Sequence, residues 1–366
     1  MRVLYASHTA LVSGAERSLL ELLGALGPTG VDPVVASPEG PLAERVRALG
    51  LPHVAVRASN ATLKLHPART PQALADMALA ARDLRRAARD VDLVHANSAR
   101  AGLVAAASGR PVVVHLRDAL PPGPVGRVVK AVVERQARVV AISRHVAAPF
   151  PGAVVRHNPV DLSRLDPDVT TPVAVDGGPV LGVLAQITPW KGQDTAIEVL
   201  ARLRDRHPGA VLLLAGEAKF VARETTFDNR AYERRLREQA AGLDVRFLGE
   251  REDVPELLAA LDLLLVPSWS EPFGRAIVEA MAMGTPVLAT DQGGPPEIVE
   301  DGVTGRLLPP RDAQAWADAA HALLADDARR AAMGAAARAA AQRFDRDAYA
   351  ADMAWLYAAI GTRERS

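Results

Sequence analysis

The 366-residue sequence contains no cysteine. Disulfides, thiolate zinc sites, iron–sulfur clusters and a cysteine nucleophile are excluded together. Lysine is nearly as scarce, with 4 against 39 arginines, so each lysine invites a functional question. Long apolar runs are missing as well. The longest stretch free of Asp, Glu, Lys, Arg and His is 177–190, which glycine and proline interrupt; a spanning helix needs about 18 or more apolar residues. Met1-Arg2 leads into an apolar stretch too short for a signal sequence. The expected location is cytoplasmic, with room for peripheral contact at the inner face of the membrane. An excess of one charge is also absent, because 43 basic and 43 acidic residues cancel. The balance hides a division: residues 1–170 carry 21 basic and 14 acidic side chains, and residues 171–366 carry 22 and 29. Neither half has the basicity of a dedicated nucleic-acid binder.

What is present describes an ordinary globular protein of about two domains, 49% hydrophobic and 23% charged. Short apolar segments alternate with helical patterns from end to end. Strands are expected at 3–6, 33–36, 53–56, 92–96, 111–115, 138–142 and 153–156. A second series is expected at 180–184, 210–215, 245–248, 261–266, 285–289 and 306–308. Helices are expected between them, at 15–26, 41–49, 71–89, 125–135, 192–206, 228–241, 254–259, 275–283 and 312–324, followed by an all-helical end. Buried strands each followed by a helix mean a parallel sheet covered on both faces. The chain therefore reads as α/β, two doubly wound Rossmann-like domains: 1–160, a proline-bearing linker at 161–178, and 179–344.

Ligands of open α/β sheets sit beyond the carboxyl ends of the strands. The residues expected there are Gly14, His95, His115, 186–191, Gly216, Arg251 and 271–279. Gly14 opens a helix, where free backbone N–H groups suit an anion, although any strand–helix turn favours glycine. Lys191 precedes a helix and suits a diphosphate; the alternative is a solvated loop lysine. Glu271 lies in a strand–helix turn and Glu279 on the helix that follows, beside Ala276, Ile277, Val278, Ala280 and Met281. A carboxylate in such company needs a partner. A polyhydroxyl ligand such as ribose or a hexose is one choice, and an arginine on a neighbouring element is the other. His115 ends its strand and is either a structural histidine or a catalytic one; Asn97 or Ser98 reads as a helix cap. Metal ligands are not found: Asp90-Val91-Asp92, Asp166-Pro167-Asp168 and Asp345-Arg346-Asp347 are all poorly placed, so no metal is expected.

These residues resemble glycosyltransferase family 4, retaining nucleotide-sugar enzymes of GT-B fold. The likeness is carried by Pro189-Trp190-Lys191-Gly192, Val245-Arg246-Phe247-Leu248-Gly249, Pro267-Ser268, Glu271-Pro272-Phe273-Gly274, Glu279-Ala280-Met281-Ala282, Gly284-Thr285-Pro286-Val287, Gly293-Gly294, Glu297, and Gly302 with Gly305. The resemblance implies two domains facing each other across a cleft, the first for the acceptor and the second for the donor, with a closing helix at about 345–366 returning to the first. It implies that Lys191 binds the donor diphosphate and Glu271 the transferred sugar, helped by the N–H groups of Phe273 and Gly274. Glu279 would hold the ribose, Gly14 would close over the diphosphate, and His115 would lie near sugar and acceptor. Gly216 and Arg251 fall where the family lines the base pocket. Partners would be a nucleotide-sugar donor and a small-molecule, glycan or lipid-linked acceptor, with no nucleic acid and no cofactor.

Two positions depart from the pattern. The family arginine five residues before the lysine is Gln186, and the first glycine of the N-terminal pair is Ser13. Gln186 lacks charge, so Arg275 becomes a candidate for the missing cation. A sugar-nucleotide epimerase of the same fold and a binding protein without turnover remain the alternatives. Acceptor specificity is expected in loops such as 59–70. Basic groups at Arg82, Arg85, Arg86 and Arg89, or at Arg127, Lys130 and Arg135, suit an anionic acceptor or membrane surface; attraction between the two halves is the plainer reading.

Overall fold

A computed structural model describes residues 1–58, 70–219 and 227–363. The specificity loop expected at 59–70 lies outside the described residues but for Thr70, the first residue of a helix. The strands are β1 (Arg2–Ala6), β2 (Asp32–Ser37), β3 (His53–Ala55), β4 (Leu93–Ala96), β5 (Val112–Leu116), β6 (Arg138–Ala141), β7 (Val154–Val155), β8 (Val180–Leu184), β9 (Val211–Ala215), β10 (Val245–Gly249), β11 (Leu263–Val266), β12 (Val287–Thr290) and β13 (Arg306–Leu308). The helices are α1 (Gly14–Ala25), α2 (Pro41–Ala48), α3 (Thr70–Ala87), α4 (Ala99–Ala105), α5 (Pro124–Val133), α6 (Arg144–Ala147), α7 (Gln193–Leu203), α8 (Asn229–Gln239), α9 (Val254–Ala259), α10 (Arg275–Ala282), α11 (Ala313–Leu324), α12 (Asp327–Ala341) and α13 (Arg346–Arg363). Two short helices, α4 and α6, are not among the spans expected from sequence, although the cap read at Asn97 or Ser98 marks the start of α4. Neither has the length to develop an apolar period, but Ser98 and Ser143 cap them, accepting from the N–H groups of Ala101 and Val146.

Two compact units result. One is Met1–Val160 with the segment from Phe344 onward; the other is Asp161–Arg343. Residues 161–178 are held to the second unit, where Val173 N–H donates to the Glu256 carbonyl and Arg338 pairs with Asp166 and Asp168 at 2.9 Å. The first sheet runs β3-β2-β1-β4-β5-β6-β7 and the second β10-β9-β8-β11-β12-β13. Every ladder between named strands is parallel. The central strands are buried on both faces, as their continuous apolar sequences require, whereas the edge strands β3, β7 and β10 are half-buried or exposed. Strand order reverses direction between β1 and β4, and again between β8 and β11. Such switch points open the crevices in which doubly wound sheets bind ligands.

Each unit has its own core. In the second, Trp316 is fully buried and its indole N–H donates to the Pro309 carbonyl at 2.8 Å. In the first, Tyr349, Ala350, Met353, Leu356, Tyr357 and Ile360 of α13 form a helical stripe that packs on β1 and α1. The stripe adds the chain's final helix to the sheet formed by its first 160 residues.

Candidate functional site

The switch point of the second unit collects most of the expected residues. The chain leaves β8, makes one short helical turn at Pro189–Lys191, and enters α7 through Gly192. Gly192 has φ of +72°, and a Cβ there would stand 2.1 Å from the Pro267 carbonyl oxygen. Only glycine lets this turn lie against the exit of β11. Gly192→Ala is therefore expected to cost about 2 kcal/mol from the left-handed backbone and the clash, read as a lower urea midpoint. An unchanged midpoint would show that the turn can move.

Main-chain bonds tie three strand exits together. Trp269 N–H donates to the Trp190 carbonyl at 2.9 Å, Glu271 N–H to Gln292 at 3.1 Å, and Gly294 N–H to Glu271 at 2.7 Å. Gly293 and Gly294 admit this approach, since a Cβ on either would meet backbone atoms of 271–273 at under 3 Å. Within the frame, Lys191 Nζ donates to Glu271 Oε2 at 2.6 Å and lies 4.2 Å from the Trp190 ring centre. Ser268 Oγ donates to the same Oε2 at 2.9 Å. Both side chains are largely buried, 16% exposed for Lys191 and 8% for Glu271. Lys191 is thus no solvated loop lysine. One Glu271 oxygen takes both donors, and the other takes none among the described residues.

Gly274 has φ of +107° and caps α10; Phe273 is buried beside it. Arg275 Nη2 donates to Glu279 Oε1 at 2.8 Å, one helical turn away. The anticipated arginine partner of Glu279 exists, but on the same helix rather than a neighbouring element. Glu279 Oε2 takes no hydrogen bond among the described residues. Gln186 is half-buried, and its carbonyl accepts from the Gln193 side chain at 2.9 Å.

Gly216 seals the exits of β8 and β9, since a Cβ would sit 2.0 Å from the Ala185 oxygen. It lines a concavity of about 270 Å³ with Ile187, Arg230, Arg237, Phe247 and Gly249. Arg251 does not line it: its guanidinium binds the Asp253 carboxylate through two nitrogens and holds that carboxyl below its usual range. Arg230 and Arg237 were not singled out from sequence. Arg237 stacks 4.2 Å from the Phe247 ring centre and pairs with Glu233 at 2.8 Å. The charge density of α8 reads as a solvated face, and only β10 packing beside it reveals the concave side.

In the first unit, Gly14 opens α1 at an exposed turn with space around it. Ser13, in place of the family glycine, donates its hydroxyl to Glu16 at 2.6 Å and its N–H to the same carboxylate at 3.2 Å, a capping arrangement. His115 is fully buried in β5 and pairs through Nδ1 with His95 Nε2 at 3.3 Å. Its Nε2 has no partner among the described residues. Arg117, two residues on, is buried and bound to Asn97 at 2.7 Å and to Asn158 at 2.5 Å; sequence reading gave it no role. Of the basic surface groups, Arg86 lies 3.9 Å from Asp83 and Lys130 pairs with Glu134, so part of that charge is locally neutralised. Among the described residues no helix is long and apolar enough to cross a membrane, and no three His, Asp or Glu side chains gather where a metal could be held.

Comparison with known proteins places the chain in a family. A family model described as glycosyltransferase family 4 matches residues 12–164, and one described as glycosyl transferases group 1 matches residues 171–340. A D-inositol 3-phosphate glycosyltransferase of Corynebacterium aurimucosum is 38% identical over 184 residues, 49% of this chain and 42% of that protein. One of Xylanimonas cellulosilytica is 48% identical over 109 residues, 30% of this chain and 26% of that protein. The chain thus spans less than half the length of these curated relatives. The crystal structure of Anabaena Alr3699/HepE in complex with UDP-glucose superposes with a TM-score of 0.83 at 28% identity, covering 98% of this chain and 100% of that one. Sucrose-phosphate synthase from Thermosynechococcus elongatus, at 21% identity and a TM-score of 0.81 over 99% of this chain and 100% of that one, shares the fold.

Proposed function

Because this chain belongs to the family 4 glycosyltransferases of GT-B fold, we propose that it transfers a hexosyl group, with retention, from a nucleotide-diphosphate sugar to an acceptor hydroxyl. The observation that carries the reading is the buried Lys191–Glu271 pair at the β8/β11 switch point. An ammonium has three donors, so Lys191 can keep Glu271 and still donate to a diphosphate. The unoccupied oxygen of Glu271 can accept from sugar hydroxyls, and that of Glu279 from ribose hydroxyls. The N–H groups of Phe273 and Gly274 add donors at the entry to α10.

In this reaction the bond from the anomeric carbon to the diphosphate oxygen breaks. The acceptor oxygen bonds that carbon on the same face, and its proton passes to the departing phosphate. Lys191 offsets the charge that develops there, in a partly dehydrated setting where such help is strongest. Lys191 and backbone N–H groups are assigned the task that a divalent cation performs elsewhere. Gly14 and His115 of the first unit are assigned to the diphosphate and to the sugar and acceptor. Arg275, engaged with Glu279, is assigned to orienting that carboxylate. A uridine-linked hexose is the first donor to try, since the Anabaena relative was crystallised with UDP-glucose. A phosphorylated polyol is the first acceptor, after the name borne by the curated relatives. Glycan and lipid-linked acceptors come next.

The test is a panel of nucleotide sugars and acceptors with products read by mass spectrometry and anomeric NMR, with and without chelator. Acceptor-dependent transfer with retained configuration, unaffected by chelation, is expected. Inverted product, epimerised donor in the absence of acceptor, or no transfer from any donor would each overturn the proposal.

A further inference from the structure

Arg311 is the one residue other than glycine with a positive φ among the described residues, at +63°. The chain leaves β13, passes Pro309 and Pro310, whose rings hold φ negative, and enters α11 at the Asp312 cap, which accepts from Ala315 N–H at 3.0 Å. The left-handed residue of this turn falls at position 311. Glycine would take that conformation freely, whereas a residue with a Cβ is strained in it. An arginine held there against strain directs attention to its side chain.

The guanidinium carbon of Arg311 stands 3.8 Å from the centre of the Trp269 ring, within stacking distance. No hydrogen bond or ion pair engages that side chain among the described residues, so the ring is what holds it. Phe227, on the approach to α8, crosses the same ring at 88°, with the centres 5.8 Å apart. Two other segments of the unit therefore brace Trp269, which is itself half-buried.

Trp269 lies within the turn that carries the site. Ser268 before it donates to Glu271 Oε2 at 2.9 Å, and Glu271 follows two residues later. The Trp269 N–H donates at 2.9 Å to the carbonyl of Trp190, the residue before Lys191. Lys191 donates to the same Glu271 oxygen at 2.6 Å. Main-chain bonds with Gln292 and Gly294 hold Glu271 on the far side, and the Trp269 ring is a side-chain anchor on the near side. A rotation of that ring turns the backbone from which both Ser268 and Glu271 project.

We infer that Arg311 is a positioning residue: through its stack on Trp269 it fixes the turn from Ser268 to Glu271, and so orients the Glu271 carboxylate toward the transferred sugar. This rests on the assignment of Glu271 to that sugar made above.

Arg311→Gly removes the strain and the stack together. Its urea midpoint is expected to equal or exceed that of the native protein. Turnover is nonetheless expected to fall about two- to fivefold, the range that a cation–ring contact at an exposed site can supply. Affinity for the nucleotide diphosphate alone, read by isothermal titration, should not change, because that ligand lacks the sugar. Trp269→Ala should lower turnover roughly ten- to a hundredfold, and Trp269→Phe should restore most of it. Adding Arg311→Gly to Trp269→Ala should lower it no further. Unchanged turnover in Arg311→Gly would overturn the inference, and so would a further loss in the double variant. A urea midpoint lowered along with turnover would reduce the stack to a structural contact. Weakened nucleotide diphosphate binding would make the guanidinium a ligand-binding group instead. Glu271→Gln in the same assay tests the assignment beneath: unchanged turnover there would overturn it, whatever Arg311 does.

Discussion

Lys191→Ala is expected to reduce turnover by about 10²–10³-fold, the usual loss when one preorganised donor to a developing charge is removed. The size follows from where the ammonium lies. Lys191 is 16% exposed and within 2.6 Å of a carboxylate that is itself 8% exposed, so water can replace little of what it supplies. Gln186 cannot take over its charge. Alanine would also leave Glu271 with Ser268 as its remaining side-chain donor among the described residues. Two measurements separate these effects. Single-turnover rates at saturating donor report the chemical step, while thermal unfolding reports whether Glu271 tolerates the loss. Lys191→Arg keeps the charge but not the compact three-donor head, and should recover only part of the rate. Near-normal turnover by a folded Lys191→Ala protein would refute the electrostatic role.

Glu279→Ala is expected to act on binding. A hydrogen bond to a charged group contributes about 1.5–3 kcal/mol, and a carboxylate that holds two ribose hydroxyls would lose about a hundredfold in donor affinity. Because Arg275 and Glu279 sit one turn apart, Arg275→Ala should weaken the donor less. The double variant should resemble Glu279→Ala alone, as expected for groups acting through one contact. Isothermal titration with the nucleotide diphosphate measures this directly. Equal losses of kcat and affinity would mean instead that Glu279 acts in the transition state.

The positions along the chain of the thirteen strands among the described residues were legible because short apolar runs between helical patterns have few other readings. Helix starts were legible where serine or aspartate precedes an amphipathic segment. The spacing of Glu271 and Glu279 was legible as a pattern, but its energetics were not. Glu279 meets its arginine four residues earlier on the same helix, a contact that spacing permits and does not require. Arg251 lies where the base pocket was expected, yet it closes on Asp253 two residues away. A long charged side chain can choose among several partners, and burial decides between them.

By itself, then, the chain's sequence determined two doubly wound α/β units, the absence of any thiol chemistry, and a short set of residues at strand ends. Those follow from local periodicity and from residue type. Tertiary structure alone decided which of these residues meet. Lys191 and Glu271 are 80 positions apart, and Tyr357 and His95 are 262 apart; no local rule pairs them. Parallel sheets bring together strand exits that are remote along the chain, and packing then buries polar groups that must find partners. In the second unit that requirement set a lysine against a glutamate at a switch point, and in the first it tied a closing helix to a pair of histidines.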